Sequence, residues 1–356
     1  MSQETATGSG RRPPRTVSVI AHRGASMEAP EHTLAAYRRA IEEGADGLEC
    51  DVRLTADGHL VCVHDRRVNR TSNGRGAVSA LELADLAALD FGSWKDRHAD
   101  PYELPDSAVD TDATDGRTGL AGPLLPVSER PAERPVGHLA EHPGEHPGEH
   151  AAERPGSHPD SRRSGRPDGR SDSDPAAGPG TAHGPDAVDP ERTSVLTLER
   201  LLQLVAEAPR PVELAIETKH PTRWAGHVEK RLLELLDRYR LRTPVRVMSF
   251  SARSLHRVRA GAPHLPTVYL MPFLLPRHRD GRLPPGVRIA GPSMRLLRAH
   301  PEYVERAHRA GNQVHAWTAD EPEDVELCLR LGVDAIITNR PQQVLAQVRR
   351  AATGDS

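Results

Sequence analysis

Several features that would direct a first reading are scarce or missing in this chain. It has three cysteines, Cys50, Cys62 and Cys328, too few for a disulfide framework, so nothing calls for an oxidising compartment. The opening stretch, MSQETATGSGRRPPR, has arginines but no apolar core behind them. It reads as a disordered polar tail over 1–15 rather than a secretory signal, and no stable membrane insertion is expected. A formal net charge of -3 over 356 residues leaves no basic excess for nucleic acid. These absences favour a cytoplasmic protein and are silent on its oligomeric state.

A local absence is sharper. From about 106 to 190 there is no Phe, Trp, Tyr, Ile, Met, Cys or Lys, while Pro, Gly, Asp, Arg, Ser and His abound. Such a segment cannot bury enough apolar surface to offset the entropy of ordering it, so 106–192 reads as a low-complexity, disordered insertion. Its centre, HLAEHPGEHPGEHAAERPG, is an imperfect EHPG repeat too polar and too broken by proline for a solenoid. Its histidines could capture metal, but drift in a tolerated surface loop is the simpler account.

On either side of it, over 16–105 and 193–351, β-rich runs alternate with helical patterns, the signature of a parallel α/β fold. Val17 to Ala21 form a first strand. Thr33 caps a helix with Leu34, Tyr37, Ala40 and Ile41 on one face, and Gly44 closes it. Ser79 and Glu82 read as a capping box for a helix carrying Leu83, Leu86 and Leu89. Leu198, Leu201, Leu202 and Val205 mark a helix where order resumes near Val195. Further strands are expected near 212–218, 245–250, 267–271, 287–291, 313–317 and 334–338. Helices are expected over 222–241, 251–260, 301–310, 321–331 and 341–350. With a hairpin return at 59–64 set aside, eight strands remain, the number that closes a TIM-type (β/α)8 barrel. A doubly wound open sheet is the alternative, but no Gly-rich phosphate loop supports it.

The second strand holds the first chemical signal. In DGLECDVRLTADGHLVCVHD, Glu49 and Asp51 project from one face while Leu48, Cys50 and Val52 fill the other. A turn centred between Ala56 and Asp57 would set His64 opposite Glu49 and Cys62 opposite Asp51. Two carboxylates held on a covered strand need a partner. Hard oxygen donors favour Mg, Ca or Mn. In such a barrel the carboxyl ends of the strands carry the chemistry. There the chain places His22-Arg23-Gly24, then Glu217 and Lys219, then Trp317. Taken singly, His22 could be a core histidine, Arg23 and Lys219 ion-pair members, and Trp317 barrel packing.

Together, HRGASMEAPEHT, the ECDVRLTADGHLVCVHD hairpin, AIETK and AWT resemble, in order and spacing, the glycerophosphodiester phosphodiesterase family of barrel phosphodiesterases, which are related to phosphatidylinositol phospholipase C. The resemblance covers about 16–100 and 193–350. It implies that Glu49, Asp51 and Glu217 hold one divalent cation, commonly Mg or Ca. By the same resemblance His22 and His64 are the acid/base pair, Arg23 and Lys219 contact phosphate, Glu31 supports the site, and Trp317 lines the alcohol pocket. The implied substrate is a small glycerophosphodiester, cut to an alcohol and sn-glycerol 3-phosphate. Two positions depart from the family. His32 stands where PEN has its Asn, and Asn339 where an Asp commonly precedes the last segment. Two alternatives remain: a lysophospholipase D, suggested by Met271, Phe273, Leu274 and Leu275 near the mouth, and a non-catalytic phosphodiester-binding barrel.

Overall fold

The computed structural model describes residues 17–97, 189–219 and 226–353, all within one compact unit. The expected tail and residues up to 188 of the expected insertion lie outside the described residues.

In chain order the elements are β1 (Ser18–His22), α1 (Leu34–Glu43), β2 (Gly47–Leu54), β3 (Leu60–Cys62), α2 (Leu83–Ala87), α3 (Ser93–Arg97), α4 (Pro190–Thr193), α5 (Leu198–Ala206), β4 (Glu213–Thr218), α6 (His227–Tyr239) and β5 (Val245–Ser249). They continue with α7 (Ala252–Gly261), β6 (Thr267–Met271), β7 (Ile289–Pro292), α8 (Met294–Ala299), α9 (Tyr303–Arg309), β8 (Gln313–Ala316), α10 (Pro322–Leu331), β9 (Ala335–Thr338) and α11 (Pro341–Thr353). The strands neighbour one another in the order β1-β9-β8-β7-β6-β5-β4-β2-β3, and β1 also pairs with β2. Eight parallel strands therefore close on themselves, and β3 is an antiparallel appendage of β2. This is the expected (β/α)8 barrel, with its hairpin after the second strand.

Side-chain alternation splits each strand between two cores. One set of residues packs outward under the helices: Leu48, Cys50 and Val52 of β2 meet Tyr37 and Ile41 of α1, all buried. The other set fills the barrel: Ile20, Ala215, Met248, Leu270, Ile289 and Ile337 form the interior cluster, with Phe250 and Trp317 packed against it. With a period of two, the interior row of β1 runs from Ile20 to His22, that of β2 through Glu49 to Asp51, and that of β4 from Ala215 to Glu217. The strand pattern thus delivers those polar side chains to one rim.

Local chemistry sets the element ends. The Thr33 hydroxyl accepts from Ala36 N at 3.2 Å, and Gly44 closes α1 in the left-handed region. Gly24, at φ +86°, lies so close to α1 that a Cβ there would come within 2.7 Å of Ala36. A side chain at that position would push β1 and α1 apart.

Three sequence expectations change. The hairpin pairs Val52 with Cys62 and Leu54 with Leu60, one residue out of the expected register. The loop has three residues, Ala56-Asp57-Gly58, with Gly58 at φ +86°, whereas the expectation assumed two. Since one step turns a strand residue to the other face, Cys62 points to the outer core beside Cys50 and not towards Asp51. The N-cap of α2 is Glu82, whose N–H donates to Asp85 Oδ2 at 3.0 Å, and Ser79 lies in a preceding turn of 3-10 helix. Helix α8 was not anticipated: Ser293 caps it and Met294, Leu296 and Leu297 are buried, but its six residues are too few to show a clear period.

Candidate active site

The rim formed by the carboxyl ends of β1, β2 and β4 gathers the acids. Oxygens of Glu49, Asp51 and Glu217 all lie within 4.8 Å of one another, and all three residues are buried. β2 and β4 are in register there, with Asp51 directly beside Glu217. Lys219 Nζ lies 2.9 Å from Glu217 Oε1 and 3.3 Å from Asp51 Oδ1. Arg23 Nε lies 3.2 Å from Asp51 Oδ2, and its backbone N–H donates to Glu49 Oε2 at 3.0 Å.

These cations do not balance the cluster evenly. Burial, then repulsion by Asp51 and Glu217, pushes Glu49 well above the usual carboxylate range. Burial also raises Glu217, to about 7, against the opposing pull of Lys219. Asp51 is buried too, but Lys219, His64 and Arg23 outweigh that and hold it well below its ordinary value. Asp51 Oδ1 makes no hydrogen bond despite being buried. Three crowded carboxylates, one with a buried oxygen that accepts no hydrogen bond, suit a hard divalent cation. The acidic triad fits a metal ion.

Two imidazoles flank the acids. His22 ends β1, with Nε2 4.0 Å from Glu49 Oε2 and Nδ1 2.8 Å from Asn339 Oδ1. The Asn339 amide is fixed from behind, because its Nδ2 donates to Asp320 Oδ2 at 2.6 Å. Its oxygen therefore faces the ring, and His22 Nδ1 is the donor. His64 arrives by a different route from the expected ladder position opposite Glu49. β3 ends at Cys62, and His64 lies in the following bend, its carbonyl accepting from Arg53 Nε at 2.8 Å and Nη2 at 2.6 Å. Its Nδ1 lies 2.8 Å from Asp65 Oδ1, a carboxylate that can only accept, so this ring also carries its proton on Nδ1. Burial, then the nearby Arg23 and Lys219, lowers His64 to about 3.

The remaining expected residues join the same rim. Glu31 accepts from Arg23 Nη1 at 3.1 Å. Trp317, anchored by Nε1 donating to Gly291 O, stands edge-on to Phe250 with ring centroids 5.5 Å apart, and Lys219 Nζ lies 5.7 Å from the Phe250 centroid. His32 is buried, with Nε2 2.9 Å from Asp51 Oδ2 and Nδ1 2.8 Å from the Tyr37 hydroxyl. Arg23 and His32 both occupy the left-handed region, at φ +58° and +61°, and His32 N donates to Arg23 O at 3.0 Å. Such strain persists where surrounding contacts over-determine the backbone, as the Asp51 and Glu49 bonds do here. Of the apolar cluster expected at the mouth, Met271 is buried and Leu274 is packed on the outer core. Phe273 alone is strongly exposed, at 60%.

Sequence reasoning missed Asp65, Arg70, Asp320 and the position of Phe250. Asp65 and Arg70 sit in an irregular segment without periodicity. Asp320 had one available signal, its place three residues after Trp317 at a strand end.

The profile of the Glycerophosphoryl diester phosphodiesterase family matches residues 22–119 and 167–343. A Mycobacterium tuberculosis protein named "Probable glycerophosphodiester phosphodiesterase 1" is 37% identical over 337 residues, covering 92% of this chain and 91% of that protein. The chain belongs to this family. As a member it is a phosphoric diester hydrolase. The glycerophosphodiester phosphodiesterase of Caldanaerobacter subterraneus is 27% identical over 336 residues, covering 93% of this chain and 98% of the relative. Among solved structures, an Oleispira antarctica phosphodiesterase in complex with the product sn-glycerol-3-phosphate superposes with a TM-score of 0.61 at 18% identity, covering 94% of this chain and 97% of that one. At that identity the likeness concerns the fold. No helix among the described residues is long and apolar enough to cross a membrane.

Proposed function

We propose that this family member hydrolyses small glycerophosphodiesters to an alcohol and sn-glycerol 3-phosphate, with His22 as base and His64 as acid. The observation that carries the reading is the meeting of three buried acids, two cations and two Nδ1-anchored imidazoles at one rim. Held by Glu49, Asp51 and Glu217, a divalent cation, Mg or Ca with Mn also suited, would supply positive charge to the phosphate. Arg23 and Lys219 add to it, since a diester anion repels nucleophiles until its oxygens are neutralised. Glu31 holds Arg23 in place, and Trp317 with Phe250 walls the leaving alcohol.

The two histidines divide the proton work by their partners. His22 leans on the neutral Asn339 amide through Nδ1–H, so its Nε2 carries the lone pair that takes the proton of the attacking oxygen. His64 leans on the Asp65 carboxylate, which stabilises its charged form, so its Nε2 returns a proton to the leaving alkoxide. With the site free of substrate, Arg23 and Lys219 oppose that charge. A phosphate anion between them and the ring offsets this and favours the acid form.

A second reading has one observation in its favour. Phe273 presents an exposed apolar ring on the segment after β6, so a lysophospholipid whose acyl chain lies along that edge would be a lysophospholipase D substrate. The proposal places the enzyme in the cytoplasm, where its three free buried cysteines stay reduced. It treats 106–192 as an insertion between two parts of one barrel. The test is release of sn-glycerol 3-phosphate from a panel of glycerophosphodiesters and a lyso-lipid, with and without chelator. No release from any diester with Mg, Ca or Mn present would sink the reading.

A further inference from the structure

We propose that Arg70 is a positioning residue, a single guanidinium that fixes the His64 ring through Asp65 and the Arg23 fork through Glu31. The idea rests on the reading above that His64 and Arg23 act on the phosphodiester.

Arg70 lies in the irregular segment after β3. Its Nε donates to Asp65 Oδ2 at 2.8 Å and its Nη2 to Asp65 Oδ1 at 3.2 Å. The same Nη2 reaches Glu31 Oε1 at 2.7 Å, while Nη1 reaches Glu31 Oε2 at 2.8 Å. Two edges of one planar fork thus grip two carboxylates side by side, an arrangement the point charge of a lysine cannot reproduce.

Each carboxylate has a second duty. Asp65 Oδ1 also takes His64 Nδ1 at 2.8 Å, and Glu31 Oε1 also takes Arg23 Nη1 at 3.1 Å. Arg23 continues the chain to Asp51 Oδ2. A line of charge-assisted contacts therefore runs from His64 through Asp65, Arg70, Glu31 and Arg23 to the acidic triad, with Arg70 in the middle.

The two ends need that support for different reasons. His64 stands in a bend beyond the sheet, where no ladder hydrogen bond orients it. Arg53 holds its carbonyl, and Asp65 holds its ring. Arg23 sits in a strained backbone conformation, and its fork must still point at one place. Without the Arg70 cation, Asp65 and Glu31 would lose the group that aligns them. Preorganised groups lose rate steeply with small displacements.

The test uses the full-length enzyme with Arg70→Gln and Arg70→Lys, the second retaining charge where the first fails to fold. Both should lower kcat about 10- to 100-fold, the range for groups that orient a working residue, with KM and divalent-cation affinity within a few-fold of wild type. Added guanidinium should restore part of the kcat of Arg70→Gly. In 15N spectra His64 should show one protonated Nδ1 and one bare Nε2 in the wild type, and signals averaged between tautomers in both variants. Unchanged ring signals, or a kcat that falls only with the folded fraction, would overturn the role of Arg70. A wild type that releases no alcohol would instead overturn the proposed function, and the ring signals, which need no turnover, would still decide the role of Arg70.

Discussion

Two polar clusters share the interior of this barrel, one at each end, and they are built differently. At the amino end of the strands, Arg246 Nη1 on β5 meets Glu213 Oε2 on β4 at 2.8 Å, and the buried His315 of β8 lies close enough to feel the arginine charge. One acid faces one base, and His315 stays neutral, pushed down to about 3 by burial and then by Arg246. At the carboxyl end three acids crowd together, and two of them resist ionising. The lower cluster is balanced in charge. The upper one carries charge that the chain alone does not settle, the mark of a place prepared for a ligand. Burial of polar groups is common to both, so burial does not identify a site. The imbalance does.

The largest expected effect breaks the upper cluster at one of the three acids that could hold an ion. Asp51→Asn should abolish turnover and weaken divalent-cation binding by calorimetry, and the melting temperature should fall, because Lys219, His64 and Arg23 favour the ionised carboxylate that the amide replaces. A variant that keeps wild-type turnover would remove the triad from the mechanism. Next come His22→Asn and His64→Asn, each lowering kcat by roughly 10²- to 10⁴-fold with cation binding kept. Steady-state kinetics beside calorimetry separates the two losses.

The lower cluster should respond in the opposite sense. Arg246→Ala leaves Glu213 with its partner removed and should cost about 3 kcal/mol by denaturant unfolding, at the low end for a broken buried pair because Glu213 keeps some solvent contact. Its kcat per folded molecule should match wild type, and a large kcat loss would erase the contrast between the two ends. The smallest effect is the pH dependence of stability. The unfolded state takes up a proton at His315 near 6.5 and the folded state only near 3, so stability falls as pH drops through that window and is flat above it. His315→Gln should reduce the slope by up to about 1.4 kcal/mol per pH unit.

The same contrast shows where sequence reading succeeds. Glu49, Asp51 and Glu217 could be found because strand alternation and the rule that strand ends carry chemistry need no coordinates. His315 and Arg246 follow the same alternation towards the opposite end, yet no motif draws attention to them. The hairpin shows a subtler limit. One extra loop residue, with Gly58 in the left-handed region, moved Cys62 to the outer core, and His64 reached the rim through a bend. Asp65 and Arg70 lie in that bend, where neither period two nor period 3.6 operates. Asn339 was noticed as a departure from a family pattern, but its hold on His22 was not.

Alternation, caps and composition were enough to establish the order of the strands, the number that closes the barrel and the place of Glu49, Asp51 and Glu217 on their strands, while the family resemblance joined those three acids into one set. These depend on neighbours a few residues apart. Ring closure decided the rest. By pairing β1 with both β9 and β2, it brings His22 against Asn339, 317 positions away, while the folded loop brings Arg70 onto Glu31, 39 positions away. Such contacts form only when the whole sheet is assembled, because no local period in the chain encodes which side chains a closed barrel sets face to face.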